Sequence, residues 1–481
     1  MADVTVVGAG KIGSTIARLL AATPDYHVTV VDHSRKRLAE VATGLMLSTV
    51  QLDIADHAAL ASQLRGQFAV LSAAPFQFTA TIADAAAKTG VHYLDLTEDV
   101  ESTRRVKLIA GTAKCAFIPQ CGLAPGFISI VASELVRKFD SLDSVQLRVG
   151  ALPQFPSNAL NYNLTWSTDG LINEYIQPCE AIVNGKLVEV PALEEREEIS
   201  LDGICYEAFN TSGGLGTLCE TLEGKVNTLN YRTIRYPGHA AIMKTLLHDL
   251  GLRRRRDVLK DVLEHALPPT MRDVVIIFVT VCGRKDGRFI QESYANKIYS
   301  TEIGDRAASA IQVTTASSIC AILDLLCRGE IPSQGFIRQD EIRLNAFLGN
   351  RFGICYRQGE AAKGSPLPQA RGGLAPWQMR RITEYTERHL GHTIKLIDLA
   401  RLAGMSRSHF SRAFRTTTGI PPHRWHLNAR IRHAQELLLD NGLPLVEIAL
   451  RTGFADQSHF TRCFQRQIGT TPGAWRRMRS N

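Results

Sequence analysis

The sequence lacks an apolar run that could cross a membrane. The longest apolar stretch, Val274–Cys282, has only the length of a strand. The first ten residues, MADVTVVGAG, have neither the basic start nor the small-residue cleavage site of a signal peptide. From these absences we expect a cytoplasmic protein.

Clustered cysteines are also absent. The ten cysteines are scattered along the chain, with no Cys-x-x-Cys pair and no Cys/His cluster. This pattern argues against a disulfide framework. It predicts reduced, mostly buried thiols and no bound metal.

Acidic residues are scarce at one end of the chain. From Pro376 onward there are 17 Lys and Arg against 7 Asp and Glu, and 16 of those basic residues are Arg. The remaining residues have 38 against 40. Positive charge confined to one end is typical of a domain that binds a polyanion, although a basic solvated surface has the same composition.

Large apolar side chains are almost missing from residues 357–376, RQGEAAKGSPLPQARGGLAP. A segment rich in Gly, Ala, Pro and Gln cannot form a core, so it is predicted to be a flexible linker. A chain of 481 residues is also too long for one core. The linker therefore predicts separate domains on its two sides.

The chain begins with a strand–turn–helix motif. The apolar run Val4–Val7 leads into an amphipathic helix through GAGKIG, which contains Gly8, Gly10, Lys11, Ile12 and Gly13. Here Gly8 makes the tight turn, Gly10 lets the backbone approach a pyrophosphate, and Gly13 lets the helix pack on the strand. The motif predicts a dinucleotide site with the pyrophosphate at the helix N-terminus.

A second predicted strand, His27–Asp32, ends in an acidic residue 19 positions after Gly13. A carboxylate at this place binds the ribose diol and repels a 2′-phosphate, so Asp32 favours NAD over NADP. Arg35 and Arg37 follow closely and leave NADP open.

Further predicted strands alternate with helices, as in a parallel, doubly wound sheet: Val50–Asp56, Phe68–Pro75, His92–Asp99 and Ala116–Gly126. Ligands of such sheets bind at the carboxyl ends of the strands. We therefore expect the following residues around the cofactor: Asp53, Ala73, Ala74, Pro75, Asp95, Glu98 and Cys121. Asp53 and Asp95 are equally compatible with turn or helix-cap acids.

From about Phe127 the pattern changes to long strands between Gly-rich loops. The predicted strands are Val145–Pro153, Tyr162–Tyr175, Glu207–Leu222, Asn227–His239 and Asp273–Gly283. The predicted helices are Ile242–Leu250, Arg256–Ala266 and Ala307–Cys327. Residues 127–356 are therefore a second domain, whose last part, about 307–356, returns to the first domain at 1–126.

Several sequence blocks, all in order, resemble the saccharopine dehydrogenase family, and most closely its lysine 6-dehydrogenases. They are GAGKIG, SAAP, YLDLTED, CGLAPG, YNLTWSTDGLINEY, NTSGGLGTLCETL, TIRYPGH and QGFIRQDEIRLNAFLGNRFG. The resemblance covers about residues 2–356. It implies a Rossmann-type parallel sheet with an inserted α+β substrate domain that also contributes to a homo-oligomer interface.

The resemblance also implies an activity. This is NAD-linked oxidative deamination of the lysine ε-carbon, which gives ammonia and 2-aminoadipate semialdehyde, and the semialdehyde cyclises to a piperideine carboxylate. A saccharopine-type activity is the alternative within the family.

Such chemistry needs a general base near the nicotinamide, because the ε-ammonium must lose a proton and the iminium must meet water. The candidate catalytic residues are Asp95, Glu98, His239 and Cys121. The substrate carboxylate would meet Arg235, Lys244 or the backbone of Ser212, Gly213 and Gly214, with Trp166 nearby. A buried inert thiol at Cys121, a core histidine at His239 and simple packing at Trp166 remain alternatives.

After the linker the sequence contains an internal repeat. Residues 396–425 match residues 445–475. In this alignment Phe410 and Phe414 of the first copy correspond to Phe460 and Phe464 of the second. Each copy is predicted to be a short helix, a Gly turn and a second helix that begins at a Ser or Asp N-cap, the pattern of a helix-turn-helix. A longer helix, His423–Asp440, would join the two copies.

The second helix of each copy buries its Phe pair and exposes a polar face that could contact base edges and phosphates. The predicted DNA contacts are Arg407, Ser408, Ser411, Arg412, Asp456, Gln457, Ser458, Thr461 and Arg462. Residues 377–479 resemble the AraC-type DNA-binding domain, with Trp475 where Tyr is usual. The resemblance implies a separate all-α double helix-turn-helix domain, over residues 377–481, that binds double-stranded DNA.

Three interpretations of this join are possible. The chain is a working lysine dehydrogenase with an attached DNA-binding domain, or a transcription regulator whose dehydrogenase-like body senses lysine, its aldehyde product or NAD(H). The third is a recent gene fusion whose two parts work independently.

Overall fold

The structure, a computed structural model, describes residues 1–358 and 374–479, except residues 155, 157, 203, 268, 305, 375, 393, 419, 440–442 and 469. The chain divides into two compact units, Met1–Gly364 and Ser365–Asn481. Most of the predicted linker lies outside the described residues.

The first unit begins with alternating strands and helices. The strands are β1 (Ala2–Val7), β2 (Tyr26–Asp32), β3 (Ser48–Gln51), β4 (Ala69–Ser72), β5 (His92–Asp95) and β6 (Ala116–Ile118). The helices are α1 (Lys11–Ala21), α2 (Arg35–Ala42), α3 (His57–Leu64), α4 (Thr79–Thr89), α5 (Val100–Ala110) and α6 (Phe127–Val136). Consecutive side chains of β1, β2 and β4 are buried on both faces, as is usual for strands of a parallel sheet.

These strands end earlier than the sequence pattern predicted, because their polar residues form turns. The predicted strand Val50–Asp56 ends at Gln51. Asp53 accepts a hydrogen bond from the Ala55 N–H, at 3.0 Å, and Asp56 caps α3. Side chains that bond nearby backbone in this way compete with strand pairing.

The middle of the chain forms a second, mixed sheet. Its strands are β7 (Ser141–Pro153), β8 (Cys179–Val183), β9 (Lys186–Val190), β10 (Glu197–Leu201), β11 (Ile204–Asn210), β12 (Thr228–Arg235), β13 (Asp273–Lys285) and β14 (Arg288–Tyr299). The order is β10-β11-β12-β7-β13-β14, with β8 pairing with both β12 and β9. Only the β12–β7 pair in this sheet is parallel. A small pair, β15 (Thr301–Ile303) and β16 (Arg306–Ala308), follows.

Four short helices accompany this sheet: α7 (Thr168–Ile176), α8 (Leu218–Leu222), α9 (His239–Lys244) and α10 (Arg256–Ala266). The predicted strand Tyr162–Tyr175 is wrong, because its second half is α7, capped by the Ser167 hydroxyl, which accepts from the Gly170 N–H at 3.2 Å. The predicted strand Glu207–Leu222 likewise ends at Asn210 and continues as a loop and α8.

The chain then returns to the first sheet. Helix α11 (Ala310–Cys327) packs against α1, and β17 (Gly335–Phe336) pairs with β6, before α12 (Leu344–Gly349). The first sheet is therefore seven-stranded and parallel, in the order β17-β6-β5-β4-β1-β2-β3. By length and composition α11 alone among the described helices could cross a membrane, but 83% of it is buried inside the protein.

The second unit is entirely helical over its described residues. Its helices are α13 (Pro376–Arg388), α14 (Leu396–Leu402), α15 (Arg407–Thr418), α16 (Pro422–Leu438), α17 (Leu445–Arg451), α18 (Gln457–Ile468) and α19 (Pro472–Arg479). The two Phe pairs of α15 and α18 are fully buried. Trp425 and Trp475 meet Phe414 and Phe464 edge-on, so the two copies have the same core. The predicted fold class is confirmed in both units.

Candidate active site and candidate DNA interface

The Gly-rich loop between β1 and α1 leaves space for a ligand at one glycine only. A Cβ on Gly13 would lie 1.8 Å from the Gly8 carbonyl oxygen, and one on Gly8 would lie 2.8 Å from the Ala73 carbonyl oxygen. Gly8 also has a φ of +102°, which favours glycine. A Cβ on Gly10, by contrast, would meet nothing within 4 Å. Gly8 and Gly13 thus hold the loop together, while Gly10 faces open space at the start of α1, as a pyrophosphate site requires.

The other predicted loop residues lie around this opening. Lys11 is exposed and Ile12 half-buried in the first turn of α1. Ala73 donates its N–H to the Val7 carbonyl, so the segment Ala73, Ala74 and Pro75 follows β4 at the same edge of the sheet as Gly8. Asp53 is exposed and occupied in its turn. The structure thus gives Asp53 the turn role that the sequence left open.

Asp32 ends β2 beside the loop and is 5% exposed. Its two carboxylate oxygens accept hydrogen bonds from the Ala9 N–H and the Ser34 N–H, both at 2.7 Å. These bonds fix the carboxylate at the place where a ribose would lie next to the Gly-rich loop.

Asp95, predicted as a candidate base, is used by the fold instead. Its carboxylate accepts hydrogen bonds from the Tyr93 hydroxyl (2.8 Å) and the N–H groups of Thr97 (3.0 Å) and Gln120 (2.9 Å). Burial raises its pKa to about 6, although these bonds act in the opposite direction. Asp95 therefore fixes the loops that follow β5 and β6, and these bonds take up most of its hydrogen-bonding capacity.

Cys121 is equally enclosed. Its thiol is fully buried, donates to the Ile118 carbonyl at 3.0 Å and accepts from Gln339 Nε2 at 3.3 Å. Burial raises the pKa of this thiol well above its ordinary value, so it stays protonated and unreactive. The buried-thiol alternative describes Cys121 better than a catalytic role.

His239 belongs to a hydrogen-bond chain that supports Arg235. Its Nδ1 donates to the Leu160 carbonyl at 3.0 Å, so its Nε2 accepts from the Tyr175 hydroxyl, at 3.0 Å. Tyr175 in turn accepts from Arg235 Nε at 2.9 Å. Burial and the Arg235 charge lower the pKa of His239 to about 3. The imidazole is neutral and occupied on both sides, which makes it a core histidine and not a base.

The Arg235 guanidinium is held in place by hydrogen bonds, but one of its nitrogen atoms makes none. It is 2% exposed, and its Nη1 donates to the Thr233 hydroxyl (2.8 Å) and the Ile234 carbonyl (2.9 Å). Its guanidinium lies over the rings of Tyr162 and Tyr175. Its Nη2 makes no hydrogen bond to any residue that the structure describes. Lys244, the other predicted cation, is paired with Glu194 at 2.6 Å on the surface and is not part of this group.

Glu98, Trp166 and the loop Ser212–Gly214 come together next to α7. A Cβ on Gly170 would lie 2.4 Å from the Trp166 ring and 3.0 Å from Glu98 Oε1, so Gly170, Trp166 and Glu98 lie next to one another. A Cβ on Gly213 would lie 2.8 Å from the Glu98 carbonyl oxygen, and one on Gly214 would lie 2.3 Å from the ring of Tyr231. The glycines of this loop therefore permit close packing against the loop that follows β5 and against β12.

A second carboxylate, which the sequence analysis missed, lies in the same cluster. Burial raises the pKa of Glu174 to about 7, against the lowering effect of the Arg235 charge. Burial and the charges of Glu174 and Asp99 raise the pKa of Glu98 well above its ordinary value. The sequence signal for Glu174 was its spacing of four residues from Gly170. This spacing puts the two residues on one face if the segment is a helix, but the segment was predicted to be a strand.

In the second unit, most of the predicted DNA contacts are on the surface of α15 and α18. Arg407, Ser408, Arg412, Gln457, Ser458 and Arg462 are exposed, and Ser411 and Thr461 are half-exposed. Asp456 accepts a hydrogen bond from the His459 N–H at 2.7 Å and so caps α18. The two helices thus present matching polar faces, with Arg412 and Arg462 at equivalent positions.

Among the described residues, no group of three or more His, Cys, Asp or Glu side chains could hold a metal ion.

Known families match both units. The family described as "Saccharopine dehydrogenase NADP binding domain" matches residues 4–114, and "Saccharopine dehydrogenase C-terminal domain" matches residues 122–349. A "Helix-turn-helix domain" matches residues 399–478.

Solved structures show the same fold in the first unit. A saccharopine dehydrogenase (L-Glu forming) from Saccharomyces cerevisiae superposes with a TM-score of 0.62 at 17% identity, covering 76% of this chain and 98% of that one. A homospermidine synthase from Legionella pneumophila, solved in complex with NAD, gives a TM-score of 0.55 at 12% identity, covering 74% and 89%. At these identities the likeness concerns the fold alone.

Curated relatives match the second unit. The HTH-type transcriptional regulator ExsA of Pseudomonas aeruginosa is 34% identical over 99 residues, or 21% of this chain and 36% of its own. The regulator GlxA of Rhizobium meliloti is 42% identical over 79 residues, or 16% and 24%. The chain thus spans about a third or less of the length of these relatives.

Proposed function

Because the chain belongs to the saccharopine dehydrogenase family over residues 4–114 and 122–349 and carries an AraC-type helix-turn-helix domain after them, we propose that it is an NAD-dependent amino-acid dehydrogenase attached to a DNA-binding domain. Its proposed reaction is oxidative deamination of the L-lysine ε-amine to 2-aminoadipate semialdehyde.

The observation that carries this proposal is the free Nη2 of Arg235. A guanidinium held in place by hydrogen bonds to Tyr175, Thr233 and Ile234, with one donor that no described residue uses, is suited to a carboxylate. The acidic residues Glu98 and Glu174 lie in the same cluster and are suited to a cationic amine. A substrate with a carboxylate at one end and an amine at the other fits both features.

The choice of NAD over NADP rests on Asp32. Its carboxylate is fixed beside the Gly-rich loop, and a 2′-phosphate in the ribose position would meet a like charge. When bound, the nicotinamide would accept a hydride from the carbon that bears the amine. The residues present would hold it at the carboxyl ends of β1, β4 and β5.

A direct assay tests this function with the full-length protein. With NAD, we expect L-lysine to produce NADH. L-norleucine, which lacks the ε-amine, should give none, and cadaverine, which lacks the carboxylate, should react at least about 100-fold less efficiently because it cannot pair with Arg235. If NAD binds but no amino acid yields NADH, the enzyme proposal fails and the sensor function takes its place.

DNA binding by the second unit depends on arginines at equivalent positions. We expect Arg412→Ala and Arg462→Ala each to weaken binding to double-stranded DNA about 10-fold and to reduce the salt dependence of binding by about one phosphate contact. Fluorescence anisotropy with a random-sequence duplex at several salt concentrations measures both quantities. Arg388→Ala removes the same charge from α13, outside both helix-turn-helix copies, and should have a much smaller effect. Equal affinities for all three variants would contradict the proposed interface.

A further inference from the structure

Two carboxylates from different parts of the chain meet at α7. Glu98 Oε1 lies 3.0 Å from the position that a Cβ on Gly170 would take. Glu174 follows Gly170 by one helical turn, so it lies on the same face of α7, and helical side chains lean towards the preceding turn. The loop at Ser212 joins the two: the Ser212 N–H donates to the Glu174 carbonyl, and Gly213 packs on the Glu98 backbone.

The side chains of Glu98 and Glu174 do not contribute hydrogen bonds or ion pairs to the described part of the fold. Neither side chain makes a hydrogen bond or an ion pair with any residue that the structure describes, and both residues remain partly accessible. The contrast with Asp95 is clear, since its carboxylate accepts three hydrogen bonds. Burial and the charge of Glu174 both raise the pKa of Glu98, as expected for neighbouring carboxylates without cationic partners.

Separate observations indicate that this place receives a ligand. The unused Nη2 of Arg235 belongs to a side chain that is 2% exposed, and the Arg235 charge acts on Glu174. The Thr211 hydroxyl is buried without a partner among the described residues and lines a small cavity together with Gly213, Gly214 and Tyr231. Gly213, which lines this cavity, also packs on the backbone of Glu98, so the cavity lies next to the loop that carries Glu98.

The position of Glu98 also assigns its role. Its loop follows β5, and the Gln120 N–H and Cys121 N–H bond Asp95, which ties this loop to the end of β6. The carboxyl ends of these strands are where the reactive end of a dinucleotide lies in this fold. Glu174, by contrast, lies on α7 and not on a loop of this sheet.

We propose that Glu98 is the general base of the amine oxidation and that Glu174 is a positioning residue that shares one proton with it; this inference rests on the proposed function. Glu98 takes a proton from the substrate ammonium, which leaves a neutral amine. The adjacent carbon then loses a hydride, which takes the C–H electron pair and which bound NAD would accept, while the nitrogen lone pair forms the C=N bond of the iminium. Glu98 then helps water to add, and the carbinolamine breaks its C–N bond to give the aldehyde and ammonium. One net proton per turnover reaches solvent through the pair.

Two substitutions test the roles separately. Glu98→Gln should lower kcat about 100-fold or more at every pH, as expected for loss of a general base, while dinucleotide affinity is unchanged. Glu174→Gln should lower kcat/KM at its optimal pH by less than Glu98→Gln does. It should also shift the acidic limb of the kcat/KM profile to lower pH by about one unit or more, because the neighbouring charge no longer raises the pKa of Glu98. A merely structural role for Glu174 would lower activity equally at every pH and leave that limb in place.

A measurement without turnover tests the shared proton. Infrared spectroscopy of the full-length protein at pH 7 should show a protonated carboxyl band that is lost in Glu174→Gln. Asp169→Asn is the matched control, since it removes a carboxylate from the same helix that is 59% exposed and paired with Lys260. It should leave both the band and the pH profile unchanged. Identical bands in the wild type and Glu174→Gln would overturn the inference, whatever the substrate assays show, whereas a wild type inactive with every amine would overturn the proposed function.

Discussion

Replacing Gly10 by alanine should abolish dinucleotide binding and leave the fold intact. Gly10 has a φ of −72°, which alanine adopts freely, and its new Cβ would meet no protein atom within 4 Å. The methyl group would instead occupy the space that a pyrophosphate needs in order to reach the backbone at the start of α1. We expect NADH affinity to fall about 100-fold or more, since both contact and hydrogen-bond geometry are lost. Fluorescence titration with NADH measures the loss.

Thermal unfolding separates this effect from misfolding. Gly10→Ala should unfold at the wild-type temperature in the absence of cofactor, and addition of NADH should no longer stabilise it. Gly349→Ala is the matched control, because Gly349 also has open space around it, at the end of α12. Gly13→Ala should behave differently from both and unfold earlier, since its Cβ would overlap the Gly8 carbonyl. Wild-type NADH affinity in Gly10→Ala would show that the dinucleotide lies elsewhere.

The variant Arg235→Lys should have a kcat/KM for the substrate L-lysine that is about 100-fold lower than that of the wild type. The new side chain keeps the positive charge but lacks the planar guanidinium, so it cannot bond Tyr175 and the substrate carboxylate at the same time. Loss of about two charge-assisted hydrogen bonds amounts to about 3 kcal/mol, which corresponds to this factor. Because Arg235 acts on binding and not on hydride transfer, most of the change should be in KM.

Steady-state kinetics with L-lysine, together with an NADH titration, distinguishes this outcome from general damage. NADH affinity should be unchanged, because Arg235 lies in the substrate domain. Lys138→Gln serves as the comparison, since Lys138 is 43% exposed and pairs with Glu292 on the surface. If Arg235→Lys had the wild-type KM for the substrate L-lysine, the proposal that Arg235 binds the substrate carboxylate would be contradicted.

Features with a short-range signal could be predicted from the sequence. The Gly-rich loop requires small residues at fixed spacing, and the structure explains Gly8 and Gly13 by contacts within that loop and with Ala73. The helix-turn-helix repeat was predictable for a similar reason, because Phe410 and Phe414 recur as Phe460 and Phe464 at helical spacing. Both features depend on residues that lie close together along the chain.

For the substrate site, the sequence predicted which segments contribute but not the roles of the individual residues. Its segment Tyr162–Tyr175 was predicted as a strand, although Ser167 caps a helix there, and so Glu174 and Tyr175 were assigned no role. His239, Cys121 and Asp95 were predicted from residue type, because a sequence does not show that their hydrogen-bonding groups are already occupied.

The sequence by itself determined the two-part architecture, the dinucleotide loop with Asp32, and the duplicated helix-turn-helix, since each depends on local pattern. Only the tertiary structure decided which ionisable groups are free to act. Glu98 and Glu174 are 76 positions apart and come together because a loop of the first sheet packs on a helix of the second domain. That packing places both carboxylates away from any hydrogen-bond partner among the described residues and raises the pKa of each by burial.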